Sequence, residues 1–259
     1  MSKDEEVREQ REHLGKVVGW AEKIEDELHE LIWHHKMPVF FRPGASGVAM
    51  VGLTSDLPQR GRSGYRDLKA LSEKFESHFL AYCVQPDQGR PTPEKMLQSY
   101  LIRGAIRGSV ERWMTPLNEA SERTGAPVKL RFAVDEVPLK HNGKKIVCDL
   151  LAVREIPGGH VPVVIELKSD RQMKRLIDQV TGYAALVDRH ADLFARLFGV
   201  ILHEEFTFVG PCENWIVWPL AGKDRDPRED EFAAGGIRVV GYEQYGVEFR
   251  FRIGPAPTK

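Results

Sequence analysis

Glu166, Leu167 and Lys168 close an apolar run, Val161-Pro162-Val163-Val164-Ile165. Asp149 lies in a second run, Ile146-Val147-Cys148-Asp149-Leu150-Leu151-Ala152-Val153. Apolar runs of this length read as buried strands. Side chains alternate faces along a strand, so Glu166 and Lys168 project to the same side. A carboxylate and an ammonium at the end of a buried strand are costly unless they bind something. A divalent metal and a phosphate would satisfy both. A lone E-x-K is ordinarily a surface ion pair worth little. Asp149 changes the weighing, because two adjacent strands that each turn one acid inward build a metal site and a single strand does not.

The elements that must position these groups are readable around them. Thr92-Pro93-Glu94 looks like an N-cap, a proline at the first helical position and an acid in the first turn. Met96, Leu97, Tyr100, Leu101, Ala105 and Ile106 then recur at helical spacing. Strands are expected at 129–139, 145–153 and 161–168. His141-Asn142-Gly143-Lys144 supplies an Asn-Gly turn between the first two, and Pro157-Gly158-Gly159 turns the chain into the third. A second helix follows, with Met173, Leu176, Ile177, Val180, Ala184 and Val187 on one stripe. Gln179 and Tyr183 stand four apart on its flank, where they can look back toward the strand ends.

Asp149, Glu166-x-Lys168 and Gln179-x-x-x-Tyr183, in this order and on these elements, resemble the PD-(D/E)xK nuclease superfamily. The helix motif is similar to that of the branch carrying Q-x-x-x-Y. The resemblance covers residues 90–220 and implies a restriction-endonuclease-like core, an α/β (α+β) fold with a mixed sheet flanked by helices. It further implies hydrolysis of phosphodiester bonds in DNA, with magnesium as cofactor and manganese able to substitute. Asp149, Glu166 and the carbonyl of Leu167 would hold the metal, as a hard cation prefers oxygen ligands. Lys168 would orient the attacking water and stabilise charge. Gln179 and Tyr183 would support the ligands or touch DNA. The family expects a further acid on the first core helix; Glu94 is the choice, with Glu111 and Glu119 as fallbacks, and Asp135 and Glu136, near the end of the first strand, are also in a position to approach the site. Cys148 stands where the family name has a proline. A catalytically inactive nucleic-acid-binding or assembly module on the same fold is the alternative, and it has little need for clustered buried carboxylates.

With 259 residues the chain suffices for one large domain or two modest ones. Its 42% hydrophobic and 29% charged residues are ordinary for a soluble protein. A formal net charge of −1 makes no case by itself for nucleic acid, although a local patch can serve. No stretch has the length to span a bilayer, the first residues lack signal-peptide character, and Cys83, Cys148 and Cys212 show no C-x-x-C spacing. A cytoplasmic protein without a zinc site is the expectation.

The expected division is an N-terminal, mainly helical extension at 1–88 carrying a small hairpin, and a nuclease-like domain at 89–259. Residues 3–36 read as an amphipathic helix with Leu14, Val17, Ala21, Ile24, Leu28, Leu31 and Ile32 on its stripe. Such a stripe needs a partner: the rest of this chain, a second copy in a homodimer, or another protein. His34-His35-Lys36 suits a helix C-terminus better than a metal. Val39–Phe41 and Val48–Val51 form a hairpin around a Gly-rich turn that lacks the G-K-[ST] of a phosphate loop. Gln59-Arg60-Gly61-Arg62-Ser63-Gly64-Tyr65-Arg66 reads as a basic loop, either solvated or contacting DNA phosphates through Arg60, Arg62 and Arg66. A helix at 65–83 and a linker at 87–91 follow. Later, 198–202 and 215–219 are strand candidates, 223–231 a charged loop, and 247–253 a half-buried strand by its alternation.

Overall fold

The computed structural model describes residues 3–35, 39–43, 49–53, 61–64, 92–108, 111–125, 127–141, 143–170, 176–220 and 229–254. Its centre is a six-stranded mixed sheet. In chain order the strands are β4 (Lys129–Asp135), β7 (Leu150–Ile156), β8 (Gly159–Leu167), β9 (Glu213–Pro219), β10 (Ile237–Tyr245) and β11 (Glu248–Ile253), and in space they run β11-β10-β9-β8-β7-β4. The three strands β4, β7 and β8 form an antiparallel meander, and β9 then joins β8 in parallel. Strand β8 is therefore central, which explains its unbroken apolar run: both of its faces are covered.

On one face lie α1 (Lys3–His35), α4 (Leu176–Arg189) and α5 (Ala191–Leu202), sharing a core with Val134, Leu151, Val164 and Ile216. On the other lie α2 (Pro93–Gly108) and α3 (Thr115–Glu122), packed on Phe132, Ala152, Ile165 and Val217. The short helix α6 (Glu229–Ala234) sets Phe232 against Trp218. No helix among the described residues is long and apolar enough to cross a membrane. The amphipathic α1 finds its partner within the chain: Leu14, Val17, Ala21 and Ile24 are buried in the same core as Phe194 and Phe198 of α5. The side chains of Leu28, Leu31 and Ile32, and residues 36–38, are outside the described set.

Two expected strands are each divided in two. The run 129–139 is β4 followed by β5 (Pro138–His141), and 145–153 is β6 (Lys144–Val147) followed by β7. Among the described residues strands β5 and β6 pair only with each other, His141 opposite Lys144, with Gly143 at φ 71° in the turn. The hairpin is bent out of the main sheet by a register shift between Phe132 and Val134 and by Glu136 at φ 48°. Asp149 thus sits between two strands, not inside one.

Other expectations need correction. Residues 198–202 end helix α5, because Phe194, Leu197, Phe198, Ile201 and Leu202 share one helical face; a short apolar run does not distinguish the two states. Gly61–Gly64 is not loop but β3, pairing with β2 (Ala49–Leu53), which pairs with β1 (Val39–Pro43) as the expected hairpin. Strand β10 had no expected counterpart. Val247 is exposed beside the Gly246 turn, while Phe249, Phe251 and Ile253 point inward as their alternation requires. Glu229–Glu231 is the start of α6, and 223–228 is outside the described residues, as are the helix at 65–83, the linker at 87–91 and Cys83.

Candidate active site

Strand β7 begins at Leu150, which pairs with Ile165 of β8, so one further step of the antiparallel register sets Asp149 against Glu166. The side chains agree. The Asp149 carboxylate accepts the Leu167 backbone N–H at 2.8 Å. Glu166 lies on the opposite face from Ile165 and Leu167, and Lys168 Nζ donates to its Oε1 at 2.8 Å. Gln179 Nε2 donates to the same oxygen at 2.7 Å and to the Val147 carbonyl at 3.2 Å. Four residues legible in the sequence, Asp149, Glu166, Lys168 and Gln179, therefore occupy one place at the carboxyl end of β8.

Burial dominates the electrostatics. It pushes the Asp149 carboxyl up to about 6, against the Leu167 N–H and the Lys168 charge that hold it down. It pushes Glu166 up to about 7, with the Asp149 charge adding to the rise and Lys168 opposing it. Two acids whose charges disfavour each other in a dry place are a site short of positive charge. Lys168 loses by burial but gains more from Glu166 and Asp149, so its ammonium is held charged. One lysine does not complete the set: among the described residues Glu166 Oε2 is buried and accepts no hydrogen bond. That oxygen, unpartnered among the described residues, fits a divalent cation, since an ionised carboxylate only accepts.

Glu94 opens α2, where Thr92 Oγ1 accepts the Lys95 N–H at 3.3 Å as the expected N-cap. It is half-buried, accepts from Ser169 N at 3.2 Å and Ser169 Oγ at 3.4 Å, and its charge adds to the rise of both Asp149 and Glu166. It borders the site without joining a three-acid cage: among the described residues no three His, Cys, Asp or Glu side chains gather to hold a metal. Remaining ligands would come from backbone carbonyl and water, as magnesium accepts. Glu111 and Glu119 are exposed. Tyr183 is fully buried and its hydroxyl donates to the Val137 carbonyl at 2.7 Å, so it braces the bent hairpin from within and faces nothing outside the protein. Asp135 is buried against Arg42 of β1, and Glu136 pairs with Lys95. Arg62 stands on β3; Arg60 and Arg66 lie outside the described residues.

Searches against protein-family models, curated proteins and solved structures match nothing to this chain. The site is accordingly read from its own geometry.

Several of its members are not legible in the motifs. Gln98 bonds the Asp149 carbonyl at 3.0 Å and Asp135 Oδ2 at 3.1 Å. Tyr242 of β10 donates to the Lys168 carbonyl at 3.2 Å, and Ser169 anchors Glu94. A sequence signal exists only for Gln98, which follows Glu94 by one helical turn and interrupts the apolar face of Leu97 and Leu101. A polar residue there needs buried partners.

Proposed function

We propose that the chain is a metal-dependent nuclease hydrolysing phosphodiester bonds in DNA, on a restriction-endonuclease-like core of the PD-(D/E)xK kind. One observation carries the reading: the Glu166 carboxylate is buried beside Asp149 and Lys168, and among the described residues Oε2 has no partner. An unsatisfied buried acceptor costs about 1–3 kcal/mol, and here it stands beside a second buried acid and a lysine that reaches solvent.

Asp149 and Glu166, with the Leu167 carbonyl, are the groups that would hold magnesium or manganese. When bound, the ion would polarise the scissile phosphate and lower the pKa of a bound water. The protein's own part is positioning and charge. Gln179 holds Glu166 Oε1, so that Oε2 is left for the ligand. Lys168, charged and 21% exposed in its side chain, reaches both the acids and solvent. There it holds phosphate oxygens and orients water as negative charge grows in the transition state. Tyr242 fixes the Lys168 backbone, which keeps the ammonium aimed. Arg60, Arg62 and Arg66 would contact DNA phosphates away from the chemistry.

The test is incubation of the purified full chain with plasmid, linear duplex and single-stranded DNA in magnesium, manganese or EDTA. Cleavage in either metal and none in EDTA is the expected result. DNA binding with no cleavage of any substrate would instead make the fold an inactive binding module.

A further inference from the structure

Asp149 belongs to neither strand ladder, since β6 ends at Val147 and β7 begins at Leu150. Its geometry is set by two hydrogen bonds from other elements. The Leu167 N–H of β8 holds the carboxylate, and Gln98 of α2 holds the backbone carbonyl at 3.0 Å. Gln98 is 3% exposed, and its orientation is dictated by its neighbours. Lys95 Nζ, which can only donate, meets Gln98 Oε1 at 2.6 Å, so the amide NH2 must face Asp149 and Asp135. Asp135 is fully buried, and Arg42 of the N-terminal hairpin closes on it from both Nε, at 2.9 Å, and Nη2. The chain Arg42–Asp135–Gln98–Asp149 thus runs from a separate three-stranded sheet into the back of the site.

We propose that Gln98 is a positioning residue for Asp149, and that the Arg42–Asp135 pair fixes it, so that the N-terminal hairpin sets the metal-binding geometry of the site. This rests on the metal-dependent reading given above. Asp135 alone would be an uncompensated buried carboxylate free to draw Gln98 away; the Arg42 fork occupies it in one orientation. With Asp135 fixed, the Gln98 amide has one place that satisfies both acceptors, and the Asp149 carbonyl is held there. Groups that support metal ligands in this way typically change metal affinity about 10–100-fold when removed.

The measurement is titration of manganese into the full chain by calorimetry, with thermal unfolding recorded alongside. Gln98→Met keeps the volume and the Arg42–Asp135 pair but loses both donors. Its manganese Kd should weaken by about 10-fold or more at a temperature where it remains folded. Activity at saturating metal should largely recover while the KM for DNA stays at the wild-type value. A purely structural role would lower Tm and leave the metal Kd unmoved. The double variant R42M/D135N removes the buried pair without leaving a lone charge, and should shift the Kd in the same direction by less. Should Gln98→Met fail to fold, this double variant decides. Wild-type manganese affinity in the folded variant overturns the positioning role and leaves the metal reading standing. No manganese binding by the wild type itself overturns both.

Discussion

Glu166 accepts from Lys168 and Gln179 on one oxygen and, among the described residues, from none on the other, and the chemistry proposed for the site follows from that asymmetry. Lys168→Ala should leave fold and metal binding nearly intact and lower the cleavage rate on the order of 10²–10³-fold, the scale for losing one transition-state donor. Lys168→Arg should not restore it, because the guanidinium presents its donors differently; single-turnover rates of both variants decide the matter. The raised carboxyls also fix a pH dependence. A carboxyl whose folded value is raised binds its proton more tightly in the folded than in the unfolded chain, so metal-free stability falls as pH rises. For Asp149 and Glu166 this loss builds between their ordinary values of 3.8 and 4.5 and the folded values of about 6 and 7. Glu166→Gln should therefore gain in Tm relative to metal-free wild type as pH is taken from 5 to 8, and a constant difference would remove the burial argument. Asp149, Glu166, Lys168 and Gln179 are legible because two apolar runs and a helical stripe carry them in an order that resembles a known family, although Asp149 proves to lie between β6 and β7. Gln98, Ser169, Tyr242 and the Arg42–Asp135 pair were not, since each joins through contacts between elements distant in the chain.

Among the elements, those with a strong period announced themselves. Strands β8, β9 and β11 and helices α1, α2 and α4 follow from alternation, helical stripes or caps in their own residues. Helix α5 did not, because Phe198–Leu202 is too short a run to reveal its period without Phe194 and Leu197. The bend dividing β4 from β5 and β6 from β7 was equally hidden, as it depends on a register shift and on the backbone of Glu136. Helix α1 was legible as a stripe but not in its partner, which proves to be α5. Leu14, 1% exposed where the two helices meet, should cost about 2–5 kcal/mol when cut to alanine. Urea denaturation measures it, and a change under about 0.5 kcal/mol, the range of an unspecialised surface position, would mean that the helix does not dock as described. The arginine-rich stretch holds β3, and for Arg60, Arg62 and Arg66 we propose contact with DNA phosphates. Neutralising all three should weaken DNA binding in EDTA and lower its salt slope by about 0.9 for each phosphate that is no longer neutralised. Anisotropy titrations at several salt concentrations give both, and an unchanged slope would leave the stretch as solvated surface.

The molecule as a whole is a mixed sheet between two helical layers, with its chemistry-bearing residues gathered where β8 ends and α2 begins. That arrangement covers the sheet on both faces and leaves Lys168 partly open to solvent. Everything claimed for its function passes through Glu166. The decisive measurement compares wild type with Glu166→Gln, a change that keeps the size and one acceptor but removes the charge. DNA cleavage and manganese binding are followed on the same preparations. Wild type should bind manganese and cut DNA only with metal present; Glu166→Gln should remain folded, lose most of its metal affinity and cut at background. Cleavage by Glu166→Gln at the wild-type rate, or by wild type in EDTA, would contradict the assignment of this site as the metal-dependent nuclease centre.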